Sequence, residues 1–451
     1  MKIDRKFASG LIELALKKGA DMAEVYIKSS RNLSLEVKNQ EIDAIESSLT
    51  SGYSLRVILD KRLGFSYSTS AGGMESVVNN AVDSAKWADM DEYLDLPAKS
   101  EAATHDINKL ETFDRDTKDI KEDEAIKHVL TIEKSAKDFD SRIKKIRKAS
   151  GIFSSGEILM LNSKGIDISY PYTKYTAQVL TVAEENNEAQ MGWDADGSRF
   201  LKNISFENVG INAARRAVQM LGSKKINTIK APVILDNSVA AEFLGVFASS
   251  LTAESVQKGR SLLMGKVGQK VLSSKINLID SGLIPRRLGT RPFDDEGVPT
   301  SDKVLIKNGF LQGYLYNTYT AKKDRVSSTG NAVRGGYTGL PGVGITNLYF
   351  KAVSESFVMP FKNLLSSMDK GLYITEAMGI HTANPISGEF SIGVSGLWIE
   401  SGEIKFPVKE AVISGDILSL FQKIEAFGDD LRFYGNIGTP GLLIGAIDIS
   451  A

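Results

Sequence analysis

The chain has 451 residues, 42% of them hydrophobic and 25% charged, so it can bury a large core and is long enough for roughly two or three domains. It contains no cysteine, which excludes disulfides, thiolate metal ligands and cysteine nucleophiles. The 55 Lys and Arg residues balance 56 Asp and Glu residues, so we expect no direct nucleic acid partner. No segment has the apolar length of a signal peptide or a membrane span, so we expect a cytoplasmic protein without a membrane partner.

The first 95 residues predict a small α+β unit. Asp4 precedes apolar residues that share one helical face, and Gly19 follows as a stop, which predicts a first helix. Alternating apolar residues then predict strands around 33–37 and 53–59, with turns at 51–52 and 61–64. Helical spacing returns at 77–88.

A second unit of the same kind follows a polar connector. Residues 96–119 are rich in charged residues and Thr and lack apolar periodicity, so we place a subdomain boundary there. Beyond it the pattern predicts helices at 125–139 and 209–220, strands between 145 and 190, and strand-separating turns at 154–156 and 162–165. We therefore divide an N-terminal region, residues 1–225, into subdomains at 1–95 and 115–225.

Residues 226–451 differ in composition from the N-terminal region, because they contain many glycines, short predicted strands and frequent turns. Helical spacing is found mainly at 239–247 and 417–427. The sequence therefore predicts an α+β protein of two lobes, in which helix–strands–helix units precede a β-rich C-terminal domain.

The three histidines do not form a local metal site. His105 lies in the polar connector and His128 in a charged stretch, so we interpret both as solvated. His381 is flanked by Gly379, but no neighbouring residue completes a catalytic constellation, and a structural role is the simpler interpretation.

Three consecutive carboxylates, Asp294, Asp295 and Glu296, lie between Pro292 and Pro299. Clustered carboxylates repel one another, so such a run is either exposed to solvent or matched to a cation. The residues alone leave both interpretations open, and a magnesium-type site remains one alternative.

Several motifs resemble the TldD/PmbA family. The C-terminal resemblance is carried by D-D-E-G-V-P at 294–299, L-I-K-N-G-F-L-Q-G-Y at 305–314, N-P-I-S-G-E-F-S at 384–391 and W-I-E-S-G-E-I at 398–404. The segments G-D-D-L at 428–431 and I-G-T-P at 437–440 agree with it, as do G-Y-S-L-R-V at 52–57 and the strand at 64–68. The resemblance thus covers nearly the whole chain.

The resemblance implies that a metal site has been lost. In the TldD branch, an H-E-x-x-x-H helix and a later cysteine bind zinc, and the glutamate activates water. Here Asn237 and Glu242 stand where the histidines would be, and Ser238 stands where the glutamate would be. Any other register leaves the same gap, because this domain has no histidine before His381 and the chain has no cysteine. These departures match the PmbA branch, also called TldE.

The resemblance therefore implies no catalytic residue, no metal ligand and no cofactor. It places six residues on the wall of a cleft: Asn237, Ser238, Glu242, Asp294, Asp295 and Glu296. The expected role is a PmbA/TldE-like subunit that pairs with a TldD-like peptidase, or with itself, around a tunnel for unfolded peptides. The family label "modulator of DNA gyrase" then describes an indirect effect.

Two alternatives come from other classes of protein. One is an autonomous metal-dependent hydrolase that uses Asp294, Asp295 and Glu296, since carboxylates suit hard cations. The other is a homodimeric scaffold that only binds peptides. Whether the chain is itself an enzyme depends on which of the three is right.

Overall fold

The computed structural model describes residues 3–99 and 106–450, apart from the side chain of His381. The N-terminal region contains the following elements, in chain order: α1 (Arg5–Lys17), β1 (Met22–Lys38), β2 (Glu41–Leu59), β3 (Arg62–Ser68), α2 (Met74–Trp87), α3 (Ile107–Leu110), α4 (Glu122–Phe139), β4 (Ile143–Asn162), β5 (Asp167–Glu185), β6 (Glu188–Ser198) and α5 (Phe206–Val218). The six strands form one antiparallel sheet in the order β3-β2-β1-β4-β5-β6. The sheet therefore runs through both predicted subdomains.

The long helices predicted in this region are confirmed. Asp4 caps α1 by accepting a hydrogen bond from the backbone N–H of Phe7 at 3.1 Å. The apolar stripe of each long helix is buried, in α2 and α5 as well as in α1 and α4.

Two of the predicted turns are wrong, because the strands are longer than their apolar alternation indicates. Residues 51–52 lie inside β2, which has 19 residues, and residues 154–156 lie inside β4, which has 20. Gly52 and Gly156 serve close packing instead, since a Cβ atom on either would lie 2.4 Å from a neighbour. The chain reverses at Asn39–Gln40 and at Asp60–Lys61, all with positive φ.

The helices cover one face of the sheet. On β1, Val25 and Ile27 pack in the cluster of α1 and α2, whereas Leu33 and Leu35 pack in the cluster of α4 and α5. Because these residues are separated by even numbers, they point to the same side of the strand. The opposite side carries Tyr26, which packs with Phe293 of the C-terminal domain. The two lobes thus meet across the open face of the sheet.

The C-terminal domain is rich in strands, which confirms the predicted α+β class. Its elements are β7 (Ile229–Leu235), α6 (Asn237–Ala248), α7 (Ala253–Gln257), β8 (Ile276–Ser281), β9 (Asp302–Lys307), β10 (Phe310–Leu311), α8 (Thr318–Asp324), β11 (Ala332–Val333), β12 (Gly342–Val343), β13 (Asn347–Ala352), β14 (Val358–Met359), α9 (Phe361–Ser366), β15 (Lys370–Met378), β16 (Glu389–Glu400), β17 (Glu403–Asp416), α10 (Ile417–Gln422), β18 (Ile424–Gly428), β19 (Arg432–Tyr434), β20 (Ile437–Thr439) and β21 (Leu442–Ser450). The helix expected at 417–427 stops at Gln422, and β18 follows it.

Two sheets enclose the C-terminal core. In the larger one, β21 pairs with β17 and also with β7, so that β7, β15, β16, β17 and β21 close into a ring. The smaller sheet has the order β10-β9-β8-β13-β20-β19. Helix α6 packs Phe243 and Phe247 into the core shared by both sheets. Its amino-terminal end is thereby held at the end of β7, beside the N-terminal region.

Among the described residues, no helix is long and apolar enough to cross a membrane.

Candidate functional site

Helix α6 begins at the position where the family resemblance places the metal motif. Asp236 follows β7 and caps the helix, because its Oδ1 accepts a hydrogen bond from the backbone N–H of Ser238 at 3.0 Å. Ser238 Oγ also donates to Asp236 Oδ1, at 2.5 Å. The first turn of α6 is thus fixed by its own polar side chains.

A guanidinium group from α5 is inserted into this first turn. Arg216 donates to Asp236 Oδ1 at 2.8 Å, to Ser238 Oγ at 3.0 Å and to the carbonyl of Thr375 at 3.3 Å. Tyr373 donates to Asp236 Oδ2 at 2.6 Å. Burial acts to raise the pKa of Asp236, but Arg216 and these hydrogen bonds hold it below its usual value. Asp236 is therefore an ionised carboxylate with a fixed cation beside it.

Two further carboxyl groups face Arg216. Burial, followed by repulsion from Glu376 on β15, raises the pKa of Glu242 to about 7, although Arg216 opposes the shift. Burial likewise raises the pKa of Glu376. Glu242 Oε2 is buried without a hydrogen-bond partner among the described residues. The two carboxyls therefore form a pair that holds a proton more tightly than an exposed glutamate does.

Asn237 connects α6 to the β19–β20 hairpin. Its amide donates to the carbonyl and Oδ2 of Asp430, at 3.3 and 3.4 Å, and its Oδ1 accepts from Tyr434 at 3.1 Å. Thr439 donates to the Asn237 carbonyl at 2.6 Å. The amide side chain is partly exposed, but its polar atoms already have partners within the chain.

The α6 cluster, defined as Arg216, Asp236, Asn237, Ser238, Glu242 and Glu376, does not fit the zinc of the TldD branch. Zinc sites use imidazole, thiolate and carboxylate ligands, normally at least three from the protein. On the register that the resemblance implies, an amide and a hydroxyl stand at two of the three motif positions, and Arg216 adds a positive charge that would repel a metal ion. In the described part of the chain, no group of three or more His, Asp or Glu side chains could hold a metal ion.

The carboxylates of 294–296 lie elsewhere, and their interpretation as a solvated loop is wrong. Asp294, Asp295 and Glu296 are only 1%, 6% and 0% exposed. Asp294 accepts hydrogen bonds from the backbone N–H groups of Glu296, Val298 and Ala332, each at 2.9 Å. Asp294 therefore stabilises its own loop.

Asp295 and Glu296 are matched by arginines from both lobes. Asp295 accepts from the backbone N–H of Arg334 at 2.7 Å, and Glu296 accepts from the Arg56 side chain at 3.0 Å. Arg56 also donates to Glu24 at 2.7 Å, and Arg334 pairs with the same Glu24. These buried ion pairs join β1 and β2 to the C-terminal domain. The cation that matches the carboxylate run is thus arginine.

The six residues predicted for a cleft wall do not form one cluster. On α6, Ser238 accepts from Arg216, Asn237 accepts from Tyr434, and the charge of Arg216 acts on Glu242. The loop carboxylates instead contact Arg56, Arg291 and Arg334. Their common position on a peptide cleft stays a prediction.

Arg216 and Glu376 have no local signal in the sequence that marks them as site residues. Arg216 lies in a correctly predicted helix between Ala213 and Ala217, but nothing local indicates that it reaches Asp236. Glu376 lies in a strand 134 residues from Glu242, and no local pattern connects them.

The histidines take no part in the α6 contacts described. His128 is partly buried rather than fully solvated, because its ring stacks on Phe206 at 4.6 Å and partial burial lowers its pKa. His105 lies outside the described residues, and the backbone of His381 lies in a one-turn 3-10 helix, Ile380–Thr382.

Comparison with known proteins identifies three family segments in this chain. Residues 23–85 match PmbA/TldA metallopeptidase domain 1, residues 115–221 match the central domain, and residues 228–451 match the C-terminal domain. A metalloprotease PmbA homolog of Haemophilus influenzae is 31% identical over 451 residues, covering 99% of this chain and 96% of that protein. Metalloprotease PmbA of Escherichia coli O157:H7 is 28% identical, covering 100% and 96%.

Solved structures agree. A Thermotoga maritima protein, described as a candidate modulator of a DNA gyrase, superposes with a TM-score of 0.89 at 27% identity, covering 99% of each chain. TldE from Thermococcus kodakarensis has the same fold, with a TM-score of 0.89 at 23% identity over 99% of this chain and 100% of that one. The chain belongs to the PmbA/TldD metallopeptidase family.

Proposed function

We propose that this chain is a PmbA/TldE-like subunit, without zinc or catalysis of its own, of a TldD/TldE-type metallopeptidase system that degrades unfolded peptides in the cytoplasm. The observation that carries the proposal is the insertion of the Arg216 guanidinium into the first turn of α6.

Arg216 supplies the positive charge that a metal would otherwise bring to this turn. Its hydrogen bonds to Asp236 and Ser238 fix the guanidinium, and its charge acts on Glu242 and Glu376. A general base for water activation must be ionised and directed at a metal-bound or otherwise activated water. At this position the chain instead has Ser238, whose hydroxyl is already engaged with Asp236 and Arg216.

In this proposal the subunit forms part of the wall of the peptide tunnel and holds the peptide beside a catalytic partner. A TldD-like subunit with an intact H-E-x-x-x-H is the partner that this role requires. The relatives support the system, because the matched proteins are named metalloproteases of the PmbA group.

The rival hydrolase built on residues 294–296 finds no support in their contacts. Asp294 is occupied by three backbone N–H groups, and Glu296 by Arg56 and the backbone N–H of Thr318 at 2.8 Å. A cation binding there would have to displace these donors, and buried charges whose partners are removed are costly.

The test compares the single chain with a reconstituted pair. The purified chain is incubated with an unfolded protein substrate in the presence of zinc, alone and together with a TldD-like subunit. We expect no cleavage by the chain alone and chelator-sensitive cleavage by the pair. Chelator-sensitive cleavage by the single chain would overturn the proposal.

A matched control separates a contribution of this chain from the activity of its partner. The TldD-like subunit is assayed alone and with a variant in which the interlobe ion pair is broken, Glu296→Gln. Equal activity of the TldD-like subunit alone, with the wild-type chain and with the variant would show that this chain does not act as a subunit of the peptidase. A stable homodimer that does not bind the TldD-like protein would favour the scaffold alternative.

A further inference from the structure

A second polar site lies between the lobes, away from the contacts of the α6 cluster. A cavity of about 300 Å³ is bounded by the open face of the N-terminal sheet and by loops of the C-terminal domain. Its sheet side carries Lys28 from β1 together with Tyr170, Tyr172 and Lys174 from β5. Arg199, just after β6, and Arg291 complete the basic pocket, which we define by these six residues.

The basic pocket has a surplus of positive charge. Arg291 is matched by Asp295 at 3.4 Å, but Lys28, Lys174 and Arg199 have no carboxylate partner among the described residues. This surplus is local, because the whole chain has a formal net charge of -1.

Arg199 is held in place without being neutralised. Its guanidinium donates only to backbone carbonyls, those of Thr173, Arg287, Leu288 and Thr290, at 2.6 to 3.4 Å. Burial lowers its pKa to about 10, so it remains charged at neutral pH. A fixed, desolvated cation of this kind gains free energy from an anion that enters the pocket.

Other groups in the pocket can donate to an anion. Arg291 Nε is buried and has no hydrogen-bond partner among the described residues. Burial raises the pKa of Tyr170 and of Tyr172, so their hydroxyls stay protonated at neutral pH. Partial burial, Arg199 and Lys28 together lower the pKa of Lys174, a repulsion that a bound anion would relieve.

The donors are carried by widely separated backbone positions, which favours several carboxylates over one phosphate. Across the sheet, Lys28 on β1 is opposite Ile158 on β4, and Ile158 is opposite Tyr170 on β5. The Cα atoms of Lys28 and Tyr170 are therefore two strand spacings apart, about 10 Å. Lys174 lies four residues further along β5, a distance of about 13 Å. Phosphate sites commonly converge on the N–H groups of a helix amino terminus, and no such terminus lines this pocket.

We propose that the basic pocket binds the acidic side chains of an extended peptide. Alternate residues of an extended chain lie about 7 Å apart on the same side, so glutamates at alternate positions can reach cations that are spread over the pocket. That the anion belongs to a peptide rests on the proposed function. The anion site itself rests only on the charges and contacts of the pocket.

The experiment measures binding of a blocked, fluorescent hexapeptide of alternating Glu and Ala to the full chain, beside the same peptide with Gln in place of Glu. We expect the Glu peptide to bind at least about tenfold more tightly than the Gln peptide, and this preference to weaken as salt is added. Lys28→Ala combined with Lys174→Ala should reduce affinity for the Glu peptide about tenfold.

Two further variants keep the test decisive if the double variant does not fold. Lys174 lies at the surface and is only partly covered by the pocket, so Lys174→Ala should fold and lose about threefold in affinity, whereas Lys174→Arg should retain wild-type affinity. The matched control is Lys307→Ala, since Lys307 is an exposed strand lysine outside the pocket, and it should change nothing.

Equal binding of the Glu and Gln peptides would overturn the inference. So would a preference for the Glu peptide that persists in the variant without both lysines. A third contrary result is that inorganic phosphate displaces both peptides from a protein that does not distinguish between them. Failure of the proposed function is seen separately. If the Glu peptide binds but the chain never supports cleavage with a TldD-like subunit, the pocket stands and the proposed function falls. If cleavage occurs without any charge preference, only the pocket falls.

Discussion

Replacement of Arg216 by methionine tests the structural argument at its central residue. Arg216 and Asp236 form an ion pair at 2.8 Å, and their side chains are 17% and 11% exposed. Breaking a buried pair by removing one partner costs about 3–5 kcal/mol, and partial exposure reduces this to about 2–3 kcal/mol here. For lobes of this size, that corresponds to a fall in Tm of about 4–12 °C.

The assay is thermal unfolding at neutral pH, with Lys148→Met as the matched control. Lys148 pairs with Glu36, but both side chains are exposed, 47% and 36%, so its loss should cost about 0–1 kcal/mol. If Arg216→Met lowered Tm no more than Lys148→Met does, Arg216 would not be the fixed cation of the α6 cluster.

A second variant separates the ion pair from the helix cap. Asp236→Asn removes the charge but keeps a side chain that caps helices well. Because Arg216→Met leaves Asp236 without its cation, the double variant should be more stable than the sum of the single effects predicts, by at least about 1 kcal/mol. Simple additivity would show that the two groups do not interact.

Three further predictions follow from the same contacts. The pKa of Glu242 is raised to about 7 in the folded chain, so the stability that its protonated form contributes is lost as pH rises from about 4.5 to 7. Glu242→Gln should therefore have a free energy of unfolding about 1–2 kcal/mol above that of the wild type at pH 8, and little above it at pH 4.5. Urea unfolding at both pH values measures this, and a gain that does not depend on pH would contradict it. Glu296→Gln should cost about 3 kcal/mol, because it leaves Arg56 without one of two buried partners, and a cost below about 1 kcal/mol by urea unfolding would contradict the interlobe pairing. The triple variant Asn237→His, Ser238→Glu and Glu242→His should bind zinc more tightly than the parent yet remain nearly inactive, because the third ligand is still missing. Calorimetric titration of zinc into both proteins checks this, and equal affinities would show that the register at 237–242 is wrong.

The four long helices of the N-terminal region could be predicted from the sequence because each carries its own signal. Each has apolar residues that recur every three or four positions, and this stripe decides which face is buried. In α1 the cap Asp4 adds a start signal. The absence of cysteine is equally plain, because it is a property of the whole sequence. The assignment of Asn237, Ser238 and Glu242 to the family's motif positions rests on the resemblance and stays a prediction.

The strand-rich parts show where local patterns fail. The positions 51–52 and 154–156 have the residues of turns, but the strands continue through them because their partners on β1 hold the ladder. Cross-strand partners lie tens of residues away, so their effect cannot be found in a short window.

The charges of the site were decided by tertiary structure alone. The carboxylate run at 294–296 is compatible with a solvated loop or with a cation site, and the choice depends on Arg56, 240 residues from Glu296. Tyr373 reaches Asp236 across 137 residues in the same way. The sequence by itself determined which side chains are available, including the absence of any cysteine. Only the fold decided which charges face one another, because a charge is stabilised by whatever the folded chain brings within a few ångströms, however distant in sequence.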